Sequence, residues 1–290
     1  MDIEQLKYFL AVCDHNHMTR AADYLFISQS SLSKHIGQLE KELGVTLFDR
    51  TGRNIRITSA GMDFAQYARE EVARYEAILC KLQGYKEPGQ TKLAIGTIPI
   101  LAQYGLHKRL LDFQKKNPQI RLSLLEEKSD HILKLLDDEL VEMAIVRTAS
   151  LMDDSYKVIP LAEDELVLAC SKQHELADRE SVCMEEMAGE KMLLLDVGKT
   201  GNIAIQACQR AGFVPQFEQV FTRIETILGY VAENAGIALL MRQDLNVFDC
   251  RGICLKEITP RTPSTVALVF PHGRKLSEAA RALWKYLTGK

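Results

Sequence analysis

The 290-residue sequence contains no hydrophobic run that approaches the roughly 18 consecutive apolar residues of a membrane-spanning helix. Its first five residues lack the basic start and apolar stretch of a signal peptide. We therefore expect a cytoplasmic protein with no membrane partner. Hydrophobic residues make up 47% and charged residues 26%, as in folded globular chains. At roughly 150 residues per domain, this length predicts two or three domains.

Net charge and cysteine content exclude two further classes of protein. The net charge of −3 excludes a protein that coats nucleic acid over its whole surface, although a small basic element can still sit on an acidic body. The cysteines are odd in number and scattered, so they do not form a disulfide framework. Cys250 and Cys254 are close in sequence, but no second pair follows at zinc-binding spacing. We expect reduced thiols, no bound metal and no cofactor.

Two short helices are predicted at the start of the chain. The first carries Leu6, Phe9, Leu10 and Cys13 on one face, and this pattern ends at residues 15–17. Thr19 is placed to cap the second helix. The small side chains at residues 21–22 suit a close crossing of the two helices.

A third helix is predicted with two different faces. One face is apolar and consists of Leu32, Ile36, Leu39 and Leu43. Ser28 is placed to cap its N-terminus, and Gly44 to end it. The other face begins with small or hydrogen-bonding side chains, namely Gln29, Ser30, Ser33 and Lys34. Such side chains at a helix N-terminus can approach a phosphate and base edges, although a serine-rich cap explains this segment equally well by itself.

An arginine-rich hairpin is predicted directly after the third helix. Residues 45–48 are apolar, residues 49–54 form a polar turn, and residues 55–58 alternate. The first 58 residues carry seven basic and seven acidic side chains, but Arg50, Arg53 and Arg56 cluster on this hairpin. A helix-turn-helix followed by such a hairpin is typical of a winged DNA reader. Its helix lies in the major groove, and its wing contacts the backbone or the minor groove.

This segment resembles the N-terminal signature of LysR-type transcriptional regulators, with a dense match over residues 3–62. The matching positions are residues 21–22, 25, 28–34, 36, 39–40, 43–44, 47–48, 50 and 58–61. The family often has Arg where Lys34 stands, and lysine lacks the planar fork that binds guanine through two hydrogen bonds. With this resemblance, the predicted contacts to double-stranded DNA are Ser28, Gln29, Ser30, Ser33, Lys34, Arg50 and Arg53.

A long helix is predicted over residues 59–84. Apolar side chains recur on a narrow stripe: Ala60, Phe64, Tyr67, Ala68, Val72, Tyr75, Ile78, Leu79 and Leu82. A helix of this kind pairs with a partner helix or packs on its own domain. The family resemblance implies antiparallel pairing with a second subunit, and further pairing of the C-terminal domains into a tetramer. Residues 88–90 read as a linker.

Strands and helices alternate from residue 91 onward, which predicts an α/β architecture with largely parallel sheets. The predicted strands are 92–96, 120–126, 142–146, 156–161, 165–170, 192–195, 217–221, 237–241 and 265–270. The predicted helices are 101–116, 130–139, 202–211, 225–233 and 276–287. The resemblance implies two lobes, about 91–162 with 265–290 and about 163–264. The chain would cross between them near residues 162–164 and 263–265.

The predicted fold class is α+β multidomain. It comprises a winged helix-turn-helix over 1–58, a long linker helix and hinge over 59–90, and a two-lobed α/β periplasmic-binding-protein-like domain over 91–290. The predicted function is a sequence-specific transcriptional regulator. A small-molecule effector bound between the lobes would modulate its DNA binding or promoter activity, and RNA polymerase is a further candidate partner.

Loops that follow strands are the candidate effector site. In open α/β sheets, ligands bind at the carboxyl ends of strands, beside the N-termini of the following helices. The candidate residues on such loops are Thr97, Ile98, Pro99, Arg147, Thr148, Thr200, Gly201, Asn202 and Thr222. A single hydroxyl there is best explained as a helix cap, but several loops that face one cleft favour a pocket. Hydroxyls beside free helix N–H groups suit an anion, so we expect a small anionic effector.

Three other functions have weaker support. An enzyme with an accessory DNA-binding domain needs a catalytic motif, and neither G-x-S-x-G nor H-E-x-x-H occurs. A solute-binding protein needs a signal peptide. A thiol-based redox regulator of the same architecture needs two thiols that can meet, and Cys208, Cys250 and Cys254 show no short paired spacing.

Overall fold

The computed structural model describes residues 1–49, 55–83, 91–152, 154–196 and 203–289. The chain divides into two compact units, Met1–Leu82 and Gln83–Lys290. Among the described helices, none combines the length and the apolar character that a membrane span requires.

Three helices make the core of the first unit: α1 (Ile3–His15), α2 (Met18–Tyr24) and α3 (Gln29–Leu43). The Ser28 hydroxyl accepts a hydrogen bond from the Ser31 N–H at 3.1 Å, which confirms the predicted cap of α3. Gly44 ends this helix with a φ of 71°, also as predicted. The apolar faces of the three helices meet in one buried cluster, which includes Leu6, Phe9, Val12, Leu32, Ile36 and Leu39.

The start of α2 differs from the sequence prediction. The imidazole Nδ1 of His17 accepts a hydrogen bond from the Thr19 N–H at 3.2 Å, so His17 and not Thr19 is the cap. Because the helix begins at Met18, the Thr19 N–H is itself one of the donors that a cap has to satisfy. Ala21 and Ala22 are buried, as expected for a close helix crossing.

The wing is a short antiparallel pair of strands, β1 (Phe48–Asp49) and β2 (Arg56–Ile57). The Glu40 carboxylate on α3 accepts hydrogen bonds from the N–H groups of Leu47 at 2.8 Å and Phe48 at 3.1 Å. These bonds tie the start of the wing to α3. Residues 50–54, which include the predicted tip, lie outside the described residues.

The predicted long helix is present as α4 (Ser59–Gln83). Ala65 and Ala68 join the core of the first three helices. Gly61 leaves no room for a side chain, because a Cβ there would lie 2.3 Å from the Leu47 carbonyl oxygen. Large apolar side chains along α4 remain exposed in the single chain: Met62, Tyr67, Tyr75, Ile78, Leu79 and Leu82.

The first lobe of the second unit has a parallel core. Its strands β3 (Thr91–Thr97), β4 (Ile120–Glu126) and β5 (Met143–Arg147) pair in the order β4-β3-β5. Helices α5 (Leu106–Lys116) and α6 (Ser129–Asp137) connect them.

The second lobe repeats this arrangement. Its strands β8 (Met192–Leu195), β9 (Phe217–Phe221) and β10 (Ile237–Met241) are parallel, and α7 (Ile203–Arg210) and α8 (Ile224–Ala232) connect them. Two strands that the sequence pattern did not predict extend this lobe: β7 (Ser181–Cys183) and β11 (Ile253–Thr259). Strand β7 has too few residues to show the alternation of side chains that is typical of a strand. In β11, charged residues interrupt the apolar pattern.

One continuous strand joins the two lobes. The strand β6 (Tyr156–Ser171) pairs antiparallel with β12 (Pro263–Pro271) as far as Glu165, and with β10 and β11 from Leu166 onward. The change of lobe occurs at the predicted level, but the prediction of two separate strands is wrong. The polar residues 163–165 stay extended because they remain paired with β12, which begins opposite Glu165.

Two further predictions for this unit are wrong. The sheets are mixed and not largely parallel, because β6 and β12 run antiparallel to the strands beside them. The helix predicted from residue 101 begins only at Leu106, since residues 99–105 form turns and Gly105 is left-handed with a φ of 64°. After β12 the chain ends in α9 (Glu278–Thr288), close to its predicted place.

Candidate DNA-reading surface and effector cavity

The predicted DNA contacts on α3 lie together at its N-terminal end. Gln29 and Ser30 form the first turn and Lys34 the next, and all three side chains are exposed. Ser33 is half-buried. The apolar face of the helix points into the core of the unit, so these polar side chains form its outer face.

The other predicted DNA contacts have different positions. Ser28 is exposed, but its hydroxyl already caps α3 and lies 3.0 Å from the Ser30 Oγ. Its first role is therefore to hold the helix end in shape. Arg50 and Arg53 lie outside the described residues.

A cavity of about 730 Å³ lies between the two lobes of the second unit. Four of the predicted effector-binding residues line it: Ile98, Pro99, Arg147 and Thr222. The apolar part of the wall comes from the turns after β3 in the first lobe and from Leu195, Ile224 and Phe248 in the second. The cavity therefore has a largely apolar wall contributed by both lobes.

The remaining predicted effector residues do not line the described cavity wall. Thr97 is fully buried, and its hydroxyl donates to the Ile98 carbonyl oxygen at 2.9 Å. Thr148 begins a single 3₁₀ turn, Thr148–Ser150, of which Ser150 lines the cavity. Thr200, Gly201 and Asn202 lie outside the described residues.

Two helices begin at the cavity wall, one from each lobe. The N-cap of α6 is Lys128 and the N-cap of α8 is Arg223, and both residues line the cavity. Neither helix has a side-chain cap, in contrast to α3 and α9, which Ser28 and Ser277 cap. The N-cap side chains therefore do not accept hydrogen bonds from the first N–H groups of α6 and α8 at this wall.

An ion pair joins the lobes across the cavity. The Lys128 Nζ lies 2.6 Å from the Asp196 Oδ2, and each side chain is a little over one-third exposed. Lys128 belongs to the first lobe, and Asp196 follows β8 in the second. The pair is accessible to water, so a ligand can compete for either partner.

A buried ionic network lies beside the cavity. Arg147 is only 8% exposed, and its Nη2 donates to the Asp244 Oδ1 at 2.8 Å. The Arg147 Nη1 lies 3.8 Å from the Asp164 Oδ2, which also accepts a hydrogen bond from the Tyr104 hydroxyl. The Tyr104 ring lies 5.3 Å from the guanidinium carbon. One arginine thus ties the end of β5 to the second lobe and to the strand that crosses between lobes.

Burial controls the protonation of this network. It raises the pKa of the Asp244 carboxyl, and the positive charge of Arg147 opposes that rise. Burial also raises the pKa of the Tyr104 hydroxyl, which therefore stays protonated as a donor to Asp164. Sequence reasoning missed Tyr104, Asp164 and Asp244 as partners of Arg147. These residues are far apart along the chain, so no sequence pattern links them to Arg147. The sequence indicated only that the chain crosses between the lobes near residue 164.

These features together define a DNA-binding protein with a separate two-lobed domain built around a cavity. Residues 3–62 match the bacterial regulatory helix-turn-helix protein pattern of the lysR family, and residues 86–290 match the LysR substrate binding domain. The chain belongs to the LysR family and is a LysR-type DNA-binding transcriptional regulator.

Curated relatives span nearly the whole chain. A hydrogen peroxide-inducible genes activator of Pectobacterium carotovorum subsp. carotovorum is 31% identical over 95% of this chain and 92% of its own length. The DNA-binding transcriptional dual regulator OxyR of Escherichia coli (strain K12) is 31% identical over 97% of this chain and 95% of its own length.

Solved structures show the same fold. HinK, a LysR family transcriptional regulator from Pseudomonas aeruginosa, has a TM-score of 0.60 at 20% identity, covering 100% of this chain and 98% of its own. An OxyR mutant from Corynebacterium glutamicum has a TM-score of 0.59 at 24% identity, covering 99% and 91%.

Proposed function

We propose that this regulator reads DNA with the outer face of α3 and the wing, and that a small anion held between the two lobes modulates it. The DNA contacts proposed are Ser28, Gln29, Ser30, Ser33, Lys34, Arg50 and Arg53. The effector contacts proposed are Ile98, Pro99, Arg147 and Thr222, together with Thr97, Thr148, Thr200, Gly201 and Asn202.

The single observation that supports the anion is the pair of helix N-termini at the cavity wall. A helix N-terminus carries positive partial charge and free N–H donors, so a cation at the N-cap is unfavourable for the helix alone. Lys128 and Arg223 nevertheless occupy this position on the two helices that begin at the wall. A bound carboxylate or phosphate would accept N–H hydrogen bonds at both helix ends, and it would compete with Asp196 for Lys128 and with Glu225 for Arg223.

Arg147 acts in a different way from the other effector contacts. Asp164 and Asp244 already balance its charge, so it supports the cavity wall and holds the lobes together. The carboxylates of Glu126 and Glu127 on the wall disfavour an anion beside the end of β4. The apolar turns between the two helix ends suit a ligand with a compact apolar body.

Thermal unfolding with a panel of small carboxylates and phosphate esters tests this assignment. A true effector raises the unfolding midpoint in proportion to the logarithm of its concentration above its Kd. Replacing Thr222, which lines the cavity, by Phe is expected to abolish that rise. The matched control is Thr91→Phe, at the exposed opposite end of β3. An unchanged response of the Thr222 variant places the effector elsewhere.

The exposed apolar side chains of α4 favour self-association. They form a stripe on a helix of 25 residues, which is long enough to pair with the same helix of a second subunit. Such isologous pairing presents two readers to a roughly palindromic DNA site. Pairing between C-terminal domains would then produce a tetramer.

We further infer that the protein acts by binding and not by catalysis, since the family to which it belongs consists of transcriptional regulators. Its DNA target places its action in the cytoplasm.

A thiol-based switch is a second candidate function, supported by one pair of side chains. Cys170 on β6 lies directly opposite Cys254 on β11. The Lys172 N–H donates to the Gly252 carbonyl oxygen at 2.9 Å, so these two residues form a hydrogen-bonded pair. Hydrogen-bonded and non-hydrogen-bonded pairs alternate along antiparallel strands, so Cys170 and Cys254, two positions away, also form a hydrogen-bonded pair. Facing Cα atoms in such a pair lie about 5.5 Å apart, within the range of disulfides. The curated relatives named as hydrogen peroxide-inducible activators agree with this chemistry.

Oxidation of this pair would transfer two electrons from two thiols to hydrogen peroxide, forming one disulfide and two waters. Burial raises the pKa of the Cys170 thiol, so we expect a slow reaction. Mass spectrometry after peroxide treatment should show the loss of two hydrogens, which Cys254→Ser abolishes and Cys183→Ser, at an exposed thiol, does not. Persistence of that loss in Cys254→Ser contradicts the assignment.

A further inference from the structure

Phe26 has an unusual combination of backbone conformation and exposure. It lies between α2 and α3 with a φ of 55°, in the left-handed region that glycine normally fills. Its side chain is 95% exposed. A bulky apolar residue in this conformation, with its ring in water, contributes almost nothing to the fold of the unit.

The hydrogen bonds of the turn explain why the conformation is fixed. The Ile27 N–H donates to the Ala22 carbonyl oxygen at 3.0 Å, and the Phe26 N–H donates to the Asp23 carbonyl oxygen at 3.2 Å. This is a helix C-terminal turn that needs a left-handed residue at its centre. Glycine there would remove the strain and the exposed ring together.

The neighbouring exposed aromatic residue has a different explanation. Tyr24 packs on the His15 ring with 5.0 Å between centroids, so the surface of the first unit accounts for it. Phe26 instead lies two residues before the cap of α3, within about 7 Å of it along the chain. Phe26 therefore lies in the turn that leads into the N-terminal end of α3, the end that carries Gln29 and Ser30.

We propose that Phe26 is a DNA contact, and that its ring packs on a thymine 5-methyl group next to the base read by Gln29. Thymine is the only base with a methyl group in the major groove, and apolar side chains recognise it there. The ring carries no charge, so this contact adds sequence preference without attraction to phosphate. The inference rests on the proposed reading role of α3, which the Gln29 variant tests separately.

The first experiment measures the affinity of full-length protein for a duplex selected by the wild type from a random-sequence library. Phe26→Gly is expected to fold at least as stably as the wild type and to bind about tenfold more weakly per half-site, from the loss of roughly 60 Å² of buried apolar contact. The salt dependence of binding should not change, because no phosphate contact is lost. Phe26→Leu should retain most of the affinity.

The matched control is Glu139→Gly, which relieves the same backbone conformation at an exposed residue of the second unit. It should bind the duplex as the wild type does. Wild-type affinity of Phe26→Gly overturns the inference. If Gln29→Ala also binds every duplex like the wild type, the reading role of α3 itself fails.

The second experiment replaces single thymines of the selected duplex by deoxyuridine, which removes only the methyl group. One position in each half-site should weaken wild-type binding and leave the binding of Phe26→Gly unchanged. The assigned contact would also be overturned if Phe26→Gly binds more weakly but every deoxyuridine replacement affects the wild type and the variant equally.

Discussion

At the scale of single residues, Gln29 and Arg53 are expected to have different effects on DNA binding. Gln29 begins the reading helix, so Gln29→Ala should relax discrimination by about 1–3 kcal/mol at one base pair. Arg53 belongs to the wing segment, and Arg53→Ala should weaken binding to all sequences and reduce the dependence on salt. Titrations against a set of single-base operator variants at several salt concentrations separate the two effects. Equal loss of affinity for every operator variant in Gln29→Ala would contradict the base contact.

The buried arginine network supports a prediction of stability. Arg147→Met leaves Asp164 and Asp244 buried beside each other without their cation, and should lower the free energy of unfolding of the second unit by about 3–5 kcal/mol. Trp284 is the only tryptophan of the chain and belongs to this unit, so its fluorescence in urea reports the change.

A matched control removes an arginine from an exposed pair. Arg251→Met breaks a surface contact with Asp249 in the same unit, and its urea midpoint should match that of the wild type. A midpoint of Arg147→Met that also equals the wild type would mean that the network does not hold the lobes.

At the scale of secondary-structure elements, α4 is expected to hold two subunits together. Leu79→Glu places a charge among the exposed apolar side chains of this helix, where pairing would have to bury it. Light scattering at micromolar concentration should then show a species of half the wild-type mass or less.

The control for this variant adds the same charge elsewhere. Gln38→Glu lies at an exposed position of α3 and should leave the mass unchanged. A wild-type mass for Leu79→Glu, or a monomeric wild type, would rule out pairing through α4.

The elements also show what the sequence could and could not predict. Helix ends set by local chemistry, such as Ser28 and Gly44 around α3, were predicted because the capping residue is adjacent to the groups it satisfies. The continuity of β6 was not predicted, since residues 163–165 are polar and their strand partners come from 98 or more positions later in the chain. The Arg147 network and the Cys170–Cys254 pair were missed for the same reason. Each depends on residues that only the folded sheet brings together.

At the scale of the whole molecule, we expect that a variant can lose effector binding and still bind DNA as the wild type does. Lys128→Met removes a cation from the cavity wall and leaves a partly exposed Asp196, so the fold should tolerate it. Effector affinity should fall by at least about tenfold, while operator affinity without effector stays at the wild-type value. Calorimetry with the effector and operator titrations without it measure the two quantities. A variant with weaker operator binding in the absence of effector would show that the cavity already influences the reader when empty.

The strand shared by both lobes limits how they can move. Because β6 and β12 remain hydrogen-bonded to each other where β6 passes from one lobe to the other, closure has to twist a two-stranded ribbon. We expect such a ribbon to resist twisting more strongly as the angle grows, because its inter-strand hydrogen bonds become increasingly strained. An effector then works against an elastic element, so the regulator should give a graded angular response to ligands of different size, with each ligand setting its own resting twist.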